Sequence, residues 1–583
     1  MMSYQAPYKD MQWLVEQAYQ SQNLAELNSL QDFDLDLANA IIDEANKFAS
    51  HILAPLNAVG DTQGCQFENG QVTTPNGWKE AYAQFRDSGW IGLALPEAFG
   101  GQGLPKYIAQ PVNEMWLSSN LAFVMFAALA QGGSEILLKF ASDDVKARYL
   151  TQIVTGEWTV AMSLTEPNAG SDLGALATKA VPQADGTYQI KGQKIYITYG
   201  EHDMADNIVH LMLARTPDAP AGSRGISLFA VPKYRVSDEG ICGEFNDVRC
   251  TGIEHKTGLH GSPTCSISYG DNDACVGELI GELNQGLMAM FVLMNEARLS
   301  CGLQGVALGE LAYQKALQYA HERVQGAGVG GKRVAIIEHP DVQRMLLSIR
   351  SETFGLRALG YQIAALLDVS EHSQDPVRVR MAESRIALLT PIFKGFATEQ
   401  ANDMAGTAIQ IYGGMGFVEE TGIAQVMRDA RITTIYEGTT GVQAKDLVHR
   451  KIRMDQGVAM CQLLTDMRDD ISAAPQSQPH QRLAVAVDQL ANVIDGVLLN
   501  PNADTAKLDA VSVPFLKAMG GICCAWQLAR LAQQAQINQA QDDGFFRNVM
   551  ALADFYSAYQ LPLAQAALTT VSQEQNGVGA YQF

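Results

Sequence analysis

The segment AMSLTEPNAGSDLG, residues 161–174, is where the character of the chain changes. An apolar run predicted as a β-strand leads into Thr-Glu-Pro and then into a tight Asn-Ala-Gly-Ser turn. Such a turn exposes backbone N–H groups and hydroxyls, which can hold the polar atoms of a planar heterocycle. Taken alone, a turn of this kind is more often an ordinary surface feature.

Short β-like runs continue beyond this segment, and helical periodicity surrounds them on both sides. We therefore predict a mainly α protein with a central β-domain, a barrel or sandwich, followed by an appended helical domain. The predicted domains are an N-terminal helical domain (1–155), the β-domain (156–283), a helical bundle (284–453) and a C-terminal helical domain (454–583).

Charge and cysteine usage exclude several classes of function. The 41 basic and 63 acidic residues give a net charge of −22, which disfavours nucleic-acid binding. Nine scattered cysteines without a CxxC pair predict neither a disulfide framework nor a metal site. No signal peptide and no run of ~20 apolar residues is evident. These features predict a cytoplasmic protein without a transmembrane segment.

Two further motifs have possible binding roles. In KIYITYG, residues 194–200, strand alternation would put Tyr196 and Thr198 on one face, where they could stack on a ring and hydrogen-bond to it. In IQIYGGMGF, residues 409–417, three glycines end a long helix and permit close approach to a ligand. A routine strand and a plain helix C-cap are the alternatives. No GxGxxG motif in a βαβ setting supports a Rossmann-type site.

The segment RITTIYEGTTGVQ, residues 431–443, contains one isolated acid, Glu437. Its neighbours are small, neutral or aromatic, whereas a surface helix would surround a glutamate with other charges. Removal from water raises the pKa of a carboxyl group and makes the carboxylate a stronger proton acceptor. The segment therefore predicts a desolvated general base, with a helix-terminal surface glutamate as the alternative.

The order of these motifs resembles that of the acyl-CoA dehydrogenase family. TEPNAGSD, KIYITYG, a long helix carrying NEARLS, IQIYGGMGF and the Glu437 segment follow one another over residues 35–453, and LPEAFGGQGLP (95–105) fits as well. The C-terminal region and EHKTGLHGSPTC (254–265) look most like the long bacterial branch that includes 3-methylmercaptopropionyl-CoA dehydrogenases.

The resemblance implies an FAD site between the β-domain and the helical bundle. It also implies a homodimer, because family members share cofactor contacts across a subunit interface. The matching cofactor positions are Met162, Leu164, Thr165, Gly170, Ser171, Tyr196, Thr198, Arg323, Gln410, Gly414 and Thr439. Departures from the family pattern are Asn295, often Asp, Gly441, often Gln, and the Gly-rich stretch 326–333.

The same resemblance implies α,β-dehydrogenation of an acyl-CoA thioester, with Glu437 as catalytic base and Ser171, Arg298 and Gly438 at the substrate. Some branches carry the base on the long helix, at the position of Ala297 here. Glu296 is rotated by ~100° from that position on a helix, which favours Glu437.

Several functions stay open at this stage. The leading expectation is a dehydrogenase that passes electrons to an electron-transfer flavoprotein and acts on 3-methylmercaptopropionyl-CoA or on a straight-chain fatty acyl-CoA. An acyl-CoA oxidase, a flavin-containing DNA-associated protein and a non-catalytic scaffold are the alternatives. The acidic composition disfavours the DNA-associated protein.

Overall fold

The structure is a computed structural model, and it describes residues 4–328 and 330–573. The chain divides into two compact units. The helical unit contains residues 1–45, 106–118 and 298–583, and the mixed unit contains residues 46–105 and 119–297. Each unit draws on more than one of the four consecutive domains expected from the sequence, whose boundaries stay predictions.

An eight-stranded sheet forms the centre of the mixed unit. Its strands run in the spatial order Val248–Ile253, Thr264–Tyr269, Tyr188–Thr198, Val276–Ile280, Ser227–Pro232, Asn207–Ala214 and Trp158–Ser163, with Lys179–Pro182 added beside Tyr188–Thr198. Trp158–Ser163 pairs in parallel with Asn207–Ala214. The other pairs are antiparallel. Strands Asn207–Ala214 and Ser227–Pro232 are buried throughout, because both of their faces are covered.

Helices and small hairpins complete the mixed unit. The hairpins are Gln66–Glu68 with Gln71–Thr73 and Tyr234–Val236 with Cys242–Phe245. The helices are Ala54–Gln63, Trp78–Asp87, Asp143–Thr155 and the later part of Lys106–Phe140. This last helix kinks at Asn120, where φ is −159° and ψ is 83°. The buried side-chain oxygen of Asn120 accepts from Phe123 N at 3.1 Å, and this bond replaces a backbone hydrogen bond that is lost at the kink.

The helical unit is built from long and short helices. They are Tyr8–Ser21, Leu35–Phe48, the later part of Gly286–Glu322, Pro340–His372, Pro376–Tyr412, Ile423–Arg431, Thr440–Lys445, Val458–Ala473, Gln478–Val493, Thr505–Asn538, Asp543–Tyr559 and Leu561–Ser572. A hairpin, Val324–Ala327 with Arg333–Ala335, follows the Gly286–Glu322 helix. Asp375 caps Pro376–Tyr412 by accepting from Val377 N at 2.8 Å.

Two helices, Lys106–Phe140 and Thr505–Asn538, are long and apolar enough to cross a membrane by length and composition alone. Most residues in their apolar stretches are buried inside the protein. Burial of this kind is what core helices of a folded protein show, so the two helices are weak support for a membrane span.

Candidate active site

Glu437 lies in an irregular segment between two helical pieces of the helical unit. The helix Ile423–Arg431 ends in a short 3₁₀ turn, Ile432–Thr434, and the next helix begins at Thr440. Between them, Glu437 has a φ of +53° and Gly438 a φ of +89°. The left-handed conformation costs roughly 1–2 kcal/mol for a residue with a Cβ, so the surrounding structure must hold Glu437 there.

Two side chains from the helical unit bind the backbone of this segment. The Lys394 ammonium donates to Gly438 O at 2.7 Å and to Thr433 O at 2.9 Å. The Gln443 amide donates to Glu437 O at 3.0 Å. Thr439 caps the following helix by accepting from Val442 N at 3.3 Å. Carbonyls on both sides of the Glu437 side chain are therefore fixed.

The environment of Glu437 perturbs its ionisation. Burial raises the pKa of the Glu437 carboxyl, while the positive charges of Lys394 and Arg298 partly offset this rise. The Cys301 thiol is also close, and burial raises its pKa, so it stays neutral. Glu437 is thus a carboxylate of increased basicity, as a general base requires.

Beside this segment are buried polar atoms without a hydrogen-bond partner in the described part of the chain. They are Arg298 Nε, Gln443 Oε1 and Asp446 Oδ2. Arg298 Nη1 and Asp446 Oδ2 are 3.6 Å apart, which is an ion-pair distance and too long for a hydrogen bond. Buried polar groups are nearly always paired in folded proteins, so these atoms fit a site that a polar ligand completes.

Three of the four cofactor positions predicted in the helical unit lie at or just beyond the ends of one pair of helices. Tyr319 and Tyr412 stack with ring centroids 4.1 Å apart, and this contact joins the C-terminal ends of Gly286–Glu322 and Pro376–Tyr412. Arg323 follows the first helix, whereas Gln410 and Gly414 lie at the end of the second, and all three are exposed. Thr439 lies instead beside Glu437, at the start of the helix that it caps.

In the mixed unit, the structure brings the two predicted cofactor segments together. Met162 is on the strand Trp158–Ser163, and the loop after this strand carries the other members of the first segment: Leu164, Thr165, Gly170 and Ser171. Ile195 N donates to Thr165 O at 2.9 Å, so this loop is bonded directly to the strand that carries Tyr196 and Thr198.

A buried ion pair organises the same loop. Lys194, which is completely buried, donates to Glu166 Oε1 at 2.7 Å and to Leu164 O at 3.1 Å. Glu166 in turn accepts from Ala177 N at 2.6 Å and Thr178 N at 3.1 Å. Hydrogen bonds therefore hold the loop near its start, at Leu164, and near its end, at Ala177 and Thr178. Gly170 and Ser171 lie on the exposed part between them.

The strand Tyr188–Thr198 departs from the regular alternation that the sequence predicted. Its register with Thr264–Tyr269 shifts between Cys265 and Ile267, and Tyr196 has a φ of +60°. An extra residue here re-aims the side chain, as a β-bulge does. Two-residue spacing therefore does not by itself put Tyr196 and Thr198 on one face. Tyr196 is 60% exposed, although aromatic rings are usually buried.

Each unit, considered by itself, carries groups that could bind part of a flavin nucleotide. A Cβ added at Gly170 or Gly414 would meet no other protein atom within 4 Å, so both positions leave room for a ligand. In the mixed unit, the exposed Tyr196 ring and the Thr165, Thr198 and Ser171 hydroxyls provide stacking and hydrogen-bonding groups. In the helical unit, Arg323 provides a cation suited to phosphate.

Comparison with known proteins identifies the family. Models of the N-terminal, middle and C-terminal domains of acyl-CoA dehydrogenase match residues 36–157, 161–271 and 284–452, and an acetyl-CoA dehydrogenase C-terminal-like model matches residues 463–581. The chain belongs to the acyl-CoA dehydrogenase family. This acyl-CoA dehydrogenase is therefore an FAD-dependent oxidoreductase with an additional helical domain at its C-terminal end.

Full-length relatives extend the similarity beyond the family models. This acyl-CoA dehydrogenase is 42% identical over 99% of its length, and 98% of the relative's length, to a 3-methylmercaptopropionyl-CoA dehydrogenase of Ruegeria pomeroyi. It is 34% identical to a broad-specificity linear acyl-CoA dehydrogenase of Mycobacterium tuberculosis, over 94% of both chains. A crystal structure of ACDH-11 from Caenorhabditis elegans, in complex with C11-CoA, shares the fold with a TM-score of 0.76 at 20% identity, covering 96% of this chain and 92% of that one.

Sequence reasoning missed the residues that hold the site in place. Lys394, Gln443 and Lys194 bind backbone carbonyls from inside helices or strands. Of the three, Lys394 had an available signal, because it is a charged residue within the apolar run TPIFKGFA (390–397). Such a residue predicts a buried polar partner without indicating which one.

Proposed function

We propose that this chain oxidises an acyl-CoA thioester to the 2-enoyl-CoA, with Glu437 as the catalytic base. The observation that carries the proposal is the carboxyl of Glu437, whose pKa is raised by burial in a segment fixed on both sides. In the reaction, the α C–H bond breaks and its proton passes to the Glu437 carboxylate. The β-hydrogen leaves with its electron pair, and a double bond forms between the α and β carbons.

FAD supplies the acceptor for the β-hydride when it is bound. The residues that would hold it in the mixed unit are Met162, Leu164, Thr165, Gly170, Ser171, Tyr196 and Thr198. Those that would hold it in the helical unit are Arg323, Gln410, Gly414 and Thr439. Support for these roles comes from the family resemblance and from the open space at Gly170 and Gly414.

The substrate is proposed to lie beside the Glu437 segment. Arg298 has an Nε without a protein partner among the described residues, which suits a contact to a bound thioester. Gly438 lies next to the base, and its φ of +89° is a conformation that glycine adopts without strain. Ser171, exposed on the loop of the mixed unit, would contact the acyl-CoA as well as the flavin.

Among acyl groups, 3-(methylthio)propanoyl is the substrate best supported, because the 42% identical relative carries this name and matches along 99% of the chain. A straight-chain acyl-CoA is the second candidate, favoured by the 34% identical linear acyl-CoA dehydrogenase. Both substrates have the α- and β-hydrogens that the reaction removes, so the chemistry of Glu437 is the same for each.

An anaerobic titration of the FAD-loaded enzyme separates these candidates. Stoichiometric 3-(methylthio)propanoyl-CoA is expected to bleach the flavin absorbance faster than butanoyl-, octanoyl- or hexadecanoyl-CoA. Faster bleaching by one of the straight-chain thioesters would transfer the assignment to the second candidate. A flavin that no thioester bleaches would defeat the proposed activity altogether.

Electron acceptor, assembly and location complete the proposal. An electron-transfer flavoprotein is the proposed acceptor, supported by the family resemblance, and peroxide formation from substrate and O₂ alone would indicate an oxidase instead.

The exposed positions of Arg323, Gln410 and Gly414 support a homodimer with shared cofactor sites, to be measured by light scattering. A cytoplasmic location is proposed from the free cysteines, of which six are buried thiols in the mixed unit or in long helices.

A further inference from the structure

The side chain of Lys394 lies inside the helical unit with no solvent exposure. It projects from the middle of the helix Pro376–Tyr412, and its pKa is lowered by burial, an effect that the nearby Cys301 and Glu437 oppose. A buried ammonium needs several hydrogen-bond acceptors to offset the loss of its water. The acceptors that Lys394 uses are two backbone carbonyls of the Glu437 segment.

These two carbonyls lie on either side of Glu437 in the chain. Thr433 O is four residues before it, at 2.9 Å from the ammonium, and Gly438 O is the next residue after it, at 2.7 Å. One side chain therefore joins the 3₁₀ turn Ile432–Thr434 to the residue that follows the base. The intervening backbone has little freedom to relax the left-handed conformation at Glu437.

We propose that Lys394 is a positioning residue for the catalytic base, which holds the Glu437 backbone through these two hydrogen bonds and keeps a positive charge beside the carboxylate. This role rests on the proposed function of Glu437. Lys394 itself is not proposed to contact the substrate. It acts through Glu437, by fixing where the carboxylate points and how readily it ionises.

The second part of the role is electrostatic. Charged and titratable groups that face Glu437 come from three elements: Arg298 and Cys301 on Gly286–Glu322, Lys394 on Pro376–Tyr412, and Tyr436 on its own segment. Arg298 is paired with Asp446, and burial keeps Cys301 and Tyr436 neutral by raising the pKa of each. Removing Lys394 would therefore leave Arg298 as the one cation acting on Glu437 among these groups, and the pKa of Glu437 would rise further.

Three substitutions separate the two parts of the role. Lys394→Met removes both the hydrogen bonds and the charge, Lys394→Gln keeps a donor without a charge, and Lys394→Arg keeps the charge in another shape. Lys315→Met is the matched control, because Lys315 is a partly buried lysine of the helix Gly286–Glu322 whose pKa burial alone lowers. Each variant is prepared as the FAD-loaded full chain, and its FAD content is measured.

Base function is then measured without net oxidation. The holoenzyme is reduced with dithionite under anaerobic conditions and incubated in D₂O with butanoyl-CoA, and α-deuterium is followed by mass spectrometry between pH 5 and 9. We expect exchange in Lys394→Met to fall by about 10- to 100-fold, since small misplacement of a reacting group has effects of this size. The pH midpoint of the residual exchange should move upward in Lys394→Met and Lys394→Gln but stay in place in Lys394→Arg.

The result that overturns the proposal is a Lys394→Met enzyme with the exchange rate and pH midpoint of Lys315→Met. If Lys394→Met does not retain FAD, the exchange is measured in Lys394→Gln instead. An unchanged pH midpoint of exchange in Lys394→Gln would also overturn the proposal. Failure of the proposed function is distinguishable, because it would appear as normal exchange in Glu437→Gln. An inactive Glu437→Gln together with a normal Lys394→Met would defeat the positioning role alone.

Discussion

At the scale of single residues, the site depends on opposing electrostatic effects at Glu437. Burial favours the neutral acid, while Lys394 and Arg298 favour the carboxylate, and burial is the larger effect. A carboxyl in this position is ionised at a higher pH than usual and binds a proton more strongly once ionised. The isolated glutamate in a neutral stretch was readable from the sequence. The role of Lys394, whose charge partly offsets the rise in the pKa of Glu437, was not readable from the sequence. Lys394 is 43 positions earlier in the chain and comes close to Glu437 only after folding.

Two exposed glycines allow a direct test of the cofactor positions. Gly170→Ala and Gly414→Ala each add a Cβ that meets no protein atom within 4 Å. The free energy of unfolding of the apoprotein should therefore stay within about 1 kcal/mol of the wild type. FAD retention should fall, because the added methyl group occupies space assigned to the cofactor.

Fluorescence titration of the apoprotein with FAD measures this effect, and urea unfolding measures stability. Gly496→Ala is the control, because its Cβ also meets no atom within 4 Å and the residue has no proposed contact with FAD. Undiminished FAD affinity in both Gly170→Ala and Gly414→Ala would remove these two positions from the cofactor site.

At the scale of elements, the loop after Trp158–Ser163 is stabilised by a buried ion pair. Burial lowers the pKa of Lys194 to about 8, although Glu166 opposes this shift. Burial alone would raise the pKa of Glu166, but Lys194 and the hydrogen bonds to Glu166 outweigh it, and the net shift is downward. Each group therefore depends on the other to remain charged at neutral pH.

Glu166→Gln should destabilise the mixed unit, because it leaves the Lys194 ammonium buried without its counter-ion. Breaking a buried pair from one side costs about 3–5 kcal/mol, and we expect a loss of this size in urea unfolding. Glu244→Gln is the matched control, since the Arg235–Glu244 pair is exposed and its loss should cost about 0–1 kcal/mol. Equal stabilities of the two variants would contradict the role of the Glu166–Lys194 pair.

Element boundaries were predictable where periodicity and capping agree. Pro340–His372 and Pro376–Tyr412 are of this kind, because each has proline in its first turn and lies within the range predicted as a helical bundle. The bounds of Val458–Ala473 are harder to predict, because charged and polar residues interrupt its apolar pattern. The bulge at Tyr196 was missed, since a tyrosine in a strand gives no signal of a left-handed backbone.

At the scale of the whole molecule, the order of motifs was sufficient to predict the family and its mixture of helices and sheet. It was not sufficient to predict how distant segments are tied together. Arg357, completely buried, donates to Glu114 at 2.8 Å and to Glu310 at 2.7 Å, although Glu114 is 243 positions away in the chain. Nothing local in the sequence links such partners, so a network of this kind becomes visible only in three dimensions.

Another buried acid joins the appended helices to the bundle. Tyr556 OH donates to Glu352 Oε1 at 3.2 Å, which connects Asp543–Tyr559 to Pro340–His372. Burial raises the pKa of Glu352 from 4.5 to about 8. Because the folded-state pKa is the higher one, the stability that this group contributes is complete below pH 4.5 and declines as the pH rises towards 8.

Glu352→Gln removes this titration while keeping the side chain's shape. The free energy of unfolding of Glu352→Gln, relative to the wild type, should increase by roughly 2–5 kcal/mol between pH 4.5 and pH 8. Urea unfolding at several pH values provides the measurement, with the exposed acid Glu383 as the control in Glu383→Gln. A difference between Glu352→Gln and wild type that does not change with pH would contradict the assignment of a neutral, buried Glu352.

The most direct test of the account is the behaviour of Glu437→Gln as a base. The variant is loaded with FAD, reduced with dithionite and incubated with butanoyl-CoA in D₂O beside the wild type. We predict normal FAD content and thioester binding, with α-deuterium incorporation lower by about 10²- to 10⁴-fold, the usual contribution of a general base. Incorporation at the wild-type rate would show that another group removes the α-proton and would contradict the central claim.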